Sequence, residues 1–180
     1  LVKWEILNED TPDVAIVYLH QPLSPGEKIV ISTPFHVKLP ASFSRMGHID
    51  QRYQITQWYP KPAVYDQFGW HHMPYLNQGE FYSEYGSFDV YITLPENYVV
   101  GATGDLVEDN NSDNAAEIIR MNGLDIKTRT QTDNSIPTDK KDMSFPKSSD
   151  KTKTLHFHQE KIHDFGWFAD KRYHVLKDEI

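Results

Sequence analysis

Two histidines with ligand-like spacing are the first residues in this sequence that could do chemistry. His156 and His158 are two apart in a segment that reads as a strand, so both face the same way, and His163 follows nearby. Neutral imidazoles at that spacing suit zinc or copper. No convincing third ligand stands beside them, so the pair reads as a solvated strand face. His71 and His72 form a second candidate beside Trp70. Neighbours on an extended chain point in opposite directions, so these read as ordinary loop histidines. Glu80 and Glu84 share a strand face with Tyr82 between them. Paired carboxylates can cleave glycosidic bonds. On a strand, however, positions four apart lie about 13 Å from each other, so an exposed acidic face is the expectation. The sequence has no Gly-x-Ser-x-Gly elbow, phosphate-binding glycine loop or basic–aromatic stretch. Asn110-Asn111-Ser112 is a glycosylation-type triplet and a weak signal.

Composition narrows the classes further. The chain has 180 residues, enough for one domain with a sizeable core. A hydrophobic fraction of 38% and a mean hydropathy of -0.62 describe a polar, foldable protein. Its net charge of -8 argues against nucleic acids and anionic membranes as partners. The lack of cysteine excludes disulfides, thiol nucleophiles and cysteine-ligated zinc. No apolar run approaches the roughly 20 residues of a membrane helix, so no membrane insertion is expected.

The elements that must position these residues read as strands. Val2–Leu7 alternates, and Val14–Leu19 is β-branched and reads as a buried strand. Ile29–Leu39 reads as a long strand, with Pro34 marking an edge or bulge. Ala41–Gln51 is a polar loop and Tyr53–Trp58 a short strand, after which Pro60 and Pro62 forbid regular pairing. Asp66–Gly69 is a turn and Trp70–Leu76 an irregular aromatic loop. Gly79–Tyr85 and Phe88–Leu94 both alternate and read as a strand pair turning at Tyr85-Gly86-Ser87. Val99–Thr103 continues the sheet. Residues 108–153 form a polar insertion, with Ala115–Met121 a strand or short helix, Leu124–Thr130 a strand and Gln131–Thr152 a mobile surface loop. Thr154–Phe157 resumes the sheet, and Ile162–Ala169 and Tyr173–Leu176 follow. The pattern predicts a single all-β domain over residues 1–180, an antiparallel sandwich or saddle.

Several motifs keep their order along the chain. They are Thr56-Gln57-Trp58-Tyr59-Pro60-Lys61, Ala63-Val64-Tyr65-Asp66, Gly69-Trp70-His71, Gly79-Glu80-Phe81-Tyr82, Leu94-Pro95-Glu96-Asn97-Tyr98 through Gly104, and His163-Asp164-Phe165-Gly166-Trp167-Phe168-Ala169. Together they resemble the amino-terminal β domain of the M1 zinc metallopeptidases, the family of aminopeptidase N and leukotriene A4 hydrolase. The similarity is strongest to the branch common in Bacteroidetes-type bacteria. The family binds zinc through His-Glu-x-x-His and a later Glu, and holds substrate backbone with Gly-x-Met-Glu-Asn. Here no His and no Met is followed by Glu.

The resemblance therefore implies a non-catalytic domain with no catalytic or metal-ligating residue of its own. Zinc is expected in a catalytic domain carboxy-terminal to this chain. The expected partners are that domain and a peptide substrate. A zinc-activated water, with a Glu as general base, would perform hydrolysis there. By the same resemblance Gln57 and Tyr59 are the candidate substrate-binding residues. Gln57 would face the peptide's amino end, where an amide offers a donor and an acceptor without charge. Tyr59 stands where many aminopeptidases have a Glu. The resemblance also implies a bacterial envelope or secreted location, and an exposed apolar patch within Gln57–Tyr75 that docks on the catalytic neighbour. Two alternatives remain: a stand-alone sandwich module binding peptide or carbohydrate, or a scaffold relative without catalysis. A row of coplanar exposed aromatics would favour the sugar-binding module.

Overall fold

The computed structural model describes residues 2–76, 78, 82–107, 112–122, 144–173 and 175. In chain order its elements are β1 (Lys3–Ile6), β2 (Ala15–Tyr18), β3 (Gly47–Ile49), β4 (Arg52–Ile55), β5 (Val64–Asp66), β6 (Gly69–His71), β7 (Gly86–Pro95), β8 (Val99–Ala102), β9 (Asp105–Leu106), α1 (Asn114–Asn122), β10 (Thr152–Ile162) and β11 (Trp167–Asp170). Every strand pair is antiparallel, so the chain is all-β and sandwich-like, with one short helix among the described residues. The chain divides into two compact units, residues 1–37 with 59–85 and residues 38–58 with 86–180.

The first unit holds two hairpins. β1 pairs with β2 and β5 with β6. In the β1–β2 hairpin, Tyr18 donates a 2.5 Å hydrogen bond to Glu5, while Lys3 lies over the Tyr18 ring. Trp4, Ile6 and Val17 stand on the opposite, apolar face and are exposed. Thus β2 is a strand as expected, but its residues are largely exposed rather than buried. The β5–β6 hairpin turns through Gln67-Phe68, and Gly69 sits at φ 103°, which a side chain would strain.

The second unit carries the core. One sheet has the order β7-β10-β9, and the other β3-β4-β11-β8. β7 alternates as its sequence demands: Phe88, Val90, Ile92 and Leu94 turn inward, and Asp89, Tyr91 and Thr93 outward. Ile92 and Leu155 face each other across the β7–β10 pair, as do Val90 and Phe157. Leu155 and Phe165 are fully buried. Phe165 stacks on Phe88 at 6.2 Å and ties the β10–β11 connection to β7. Ile55, Tyr98 and Ala169 complete the buried set.

The far edge of β10 is closed in an unusual way. β9 contributes only two paired residues, opposite Phe157 and His158. Gly104, at φ 86°, permits this approach, since a Cβ there would lie 2.5 Å from the His158 carbonyl oxygen. Beyond β9 the ladder continues without a strand. Val107 N–H donates to the His156 carbonyl. The Asn114 side chain then donates to the carbonyls of Val107 and His156, both at 2.5 Å, and accepts from His156 N–H at 2.9 Å. Asp113 exchanges two bonds with Thr154, one through its backbone and one through its carboxylate. A side-chain amide thus stands in for a missing peptide group, and α1 starts from it. Below it, Glu117 is buried and bonded to both Arg120 and Lys153.

Several expectations change. Ile29–Leu39 forms no strand: Pro34 removes a donor, and Ile29, Val30, Ile31, Phe35 and Val37 are exposed. β7 pairs with β10, where Leu155 and Phe157 stand opposite Ile92 and Val90. Tyr82–Tyr85 is irregular, and 79–81 lie outside the described residues. The Ala41–Gln51 loop contains β3, and β6 replaces the start of the Trp70–Leu76 loop. Val99–Ala102 joins the other sheet, opposite β11. Ala115–Met121 resolves as helix. Leu124–Thr130, Gln131–Met143 and His174 and Leu176 of the last predicted segment lie outside the described residues.

Asn114→Ala should lower unfolding stability by about 2–4 kcal/mol, since it takes the side-chain partner from the His156 N–H and the Val107 carbonyl. Urea denaturation of the two proteins measures this. A difference below about 0.5 kcal/mol would show that the edge is satisfied another way.

Candidate functional site

The end of β4 is where the backbone departs from regularity. β4 pairs with β11 up to Ile55 opposite Trp167. Both neighbours of Gln57 are then pinned. Thr56 Oγ1 donates to the Arg45 carbonyl at 2.6 Å, and Trp58 Nε1 donates to the Phe165 carbonyl at 3.0 Å. Gly166 packs so close to Thr56 that a Cβ would lie 3.2 Å from its methyl group. Between these anchors Gln57 adopts φ 52°. That left-handed conformation costs an ordinary L-residue about 1–2 kcal/mol. Its side chain is half-buried and makes no hydrogen bond among the described residues. Tyr59 is also half-buried, with Lys61 Nζ 5.2 Å from its ring centroid. The two predicted substrate-binding residues belong to different units of the chain.

The His-x-His pair has an unexpected environment. His156 and His158 do share a face of β10, but that face is not simply solvated. Opposite them on β7 stand Tyr91 and Asp89. Asp89 Oδ1 lies 2.9 Å from His156 Nε2 and 2.9 Å from His158 Nδ1. Tyr91 stacks on the His156 ring at 4.2 Å and 13°. His156 is 6% exposed, and Asn114 fixes its backbone. Hydrogen bonds from His158 and then His156 hold the Asp89 carboxyl below the usual aspartate range. The group is a cross-strand clasp of one carboxylate and two imidazoles. Sequence reasoning missed Asp89, although its alternation with Val90 had already placed it on the outer face of β7. His163 lies past β10 and is exposed.

The other candidates separate. His71 closes the β5–β6 hairpin, with Nε2 2.8 Å from Asp66 Oδ1, and its ring meets Tyr82 edge-on. That bond and the Phe68 N–H lower the Asp66 carboxyl. His72 and Glu84 are exposed, and Glu80 lies outside the described residues. On the same hairpin Tyr65 and Trp70 are paired, each 65% exposed, with Phe68 exposed at the turn. Met73 and Tyr75 are exposed as well. The Tyr65 and Trp70 rings are tilted by 58°, so they do not form the coplanar row that a sugar platform requires.

The family's ligand motif is missing, and no group of three or more metal-ligating side chains is placed to hold an ion among the described residues. No helix among those residues is long and apolar enough to cross a membrane. No family model, curated protein or solved structure matches the chain.

The clasp generates a pH prediction. Because the folded Asp89 carboxyl titrates below its unfolded value, its contribution is present above the unfolded value and is lost as pH falls through the folded one. The stability difference between wild type and Asp89→Asn should therefore hold at about pH 5 and shrink towards about pH 2. Thermal melts across that range test it, and a gap that widens on acidification would contradict the clasp.

Proposed function

We propose that this chain is the amino-terminal, non-catalytic β domain of an M1-type zinc metallopeptidase. On this reading it walls one side of the active-site cleft and helps position the amino end of a peptide substrate. Hydrolysis belongs to a catalytic domain that carries zinc. The ordered motifs from Thr56 to Ala169 and the antiparallel all-β architecture support the reading. The bacterial envelope or exterior is the location that goes with it.

The observation that carries the proposal is Gln57. A residue held in a costly backbone conformation by pinned neighbours is over-determined by its surroundings, and such strain clusters at ligand sites. Its amide also lacks an intramolecular hydrogen-bond partner among the described residues, leaving a donor and an acceptor for a ligand. Exposed Tyr65, Phe68, Trp70 and Tyr75 supply apolar surface of the kind a catalytic neighbour would cover.

The first experiment is to read the coding sequence downstream of Ile180. A His-Glu-x-x-His followed by a distant Glu is the expected result. An uninterrupted frame without those ligands would reject the peptidase reading. In the intact protein, Gln57→Ala should lower kcat/KM by about three- to tenfold, the worth of one neutral hydrogen bond. Its melting temperature should stay that of the wild type. Gln57→Gly should do the same to activity while stabilising the fold by up to about 1 kcal/mol, because glycine accepts positive φ without cost. Full activity in both variants would remove Gln57 from the site.

A further inference from the structure

The four-stranded sheet of the second unit carries a second concave site. Its outer face bears a cavity of about 270 Å³. On that face the β3–β4 register sets Ile49 beside Arg52, and the β4–β11 register sets Gln54 beside Phe168. Ser42 and Tyr173 also line the hollow. Ile49, Phe168 and Tyr173 are exposed large side chains, so apolar groups stand beside the polar ones in an open hollow.

Arg52 is its one cation. It is exposed and makes no ion pair among the described residues. Asp170, a carboxylate on which the Arg52 charge acts, is already taken. Asp170 is buried and engaged by Arg172 through Nε, Nη2 and the backbone N–H. Burial alone would raise the Asp170 carboxyl, but the bonds from Arg172, with a smaller contribution from the Arg52 charge, hold it low.

We propose that this hollow is a binding site for a monoanionic carboxylate carried on an apolar or aromatic body. A planar guanidinium matches a carboxylate in two parallel hydrogen bonds. Phe168, Ile49 and Tyr173 contact the body of the ligand, and the Ser42 hydroxyl adds a polar contact. One cation flanked by Asp170 balances a single negative charge and leaves a dianionic phosphate uncompensated. The volume suits a small molecule or the last residue of a peptide, near the lower limit of ligand pockets. The site uses neither Gln57 nor any step of the proposed hydrolysis, so it stands or falls independently of the peptidase reading.

The test titrates phenylacetate, its neutral analogue phenylacetamide, and inorganic phosphate into the 180-residue chain, followed by backbone-amide chemical shifts. Phenylacetate should shift Ile49, Arg52, Phe168 and Tyr173 with millimolar affinity. Phenylacetamide should bind at least about tenfold more weakly, the loss expected for one charge-assisted pair. Arg52→Gln should abolish the preference for the acid, and Phe168→Ala should weaken acid and amide alike. Equal affinity of acid and amide for the wild type overturns the proposal, as does the absence of shifts at these residues. Phosphate binding more tightly than phenylacetate, or an acid preference that survives in Arg52→Gln, does so too. The acid–amide comparison on the wild type decides the matter even where a variant fails to fold.

Discussion

The amide of Asn114 is the interaction on which the larger unit depends. β10 is its longest strand and the centre of its three-stranded sheet, bonded to β7 along one edge. The other edge has only a two-residue strand to pair with. A buried edge with unpaired carbonyls and amides would cost the desolvation of each group. Asn114 removes that cost with one fully buried side chain that bonds three backbone groups. Its position also sets the start of α1, which brings Glu117 to Lys153 and Arg120. The same contact holds the His156 backbone in register with β7. The Asp89 clasp and the Tyr91–His156 stack follow from that register.

The sequence announced the fold class through period-two alternation, and β7 follows it residue by residue. Alternation does not name a partner, however. The pairing of β7 with β10, more than fifty residues later in the chain, is visible only in three dimensions. Ile29–Leu39 shows the opposite failure. Its apolar alternation predicts a strand despite Pro34, yet the segment forms none, because pairing is not a local property. The histidine pair was visible as spacing, but its carboxylate partner lies 67 residues away from His156 and became visible only through strand register. Gln57 was legible only through family resemblance. Its positive φ could not have been read from residue type, since glutamine has no special preference for that region.

The two hollow or strained features of the second unit share an origin in β4. This strand is short, with four residues, and both its ends are committed. At one end Arg52 follows the tight turn through Asp50, which also has positive φ at 48°. At the other, Thr56 and Trp58 are tied to Arg45 and Phe165 before the chain crosses into the other unit. The strand has no spare residue through which a distortion could relax. The geometry of Gln57 is thereby coupled to the packing of Phe165, the most deeply buried aromatic of the core.

The feet of the polar insertion have a practical consequence. Asp113 and Thr154 are bonded to each other on either side of it. The chain thus leaves and re-enters the sheet at a closed gate. Closing a flexible loop costs only about 0.6 kcal/mol more for each doubling of its length. A change of length that spares Asn114, Glu117 and Lys153 therefore leaves the closure of β10 in place. Between α1 and residue 144 is thus the place in the chain to graft a fluorescent reporter or an affinity handle.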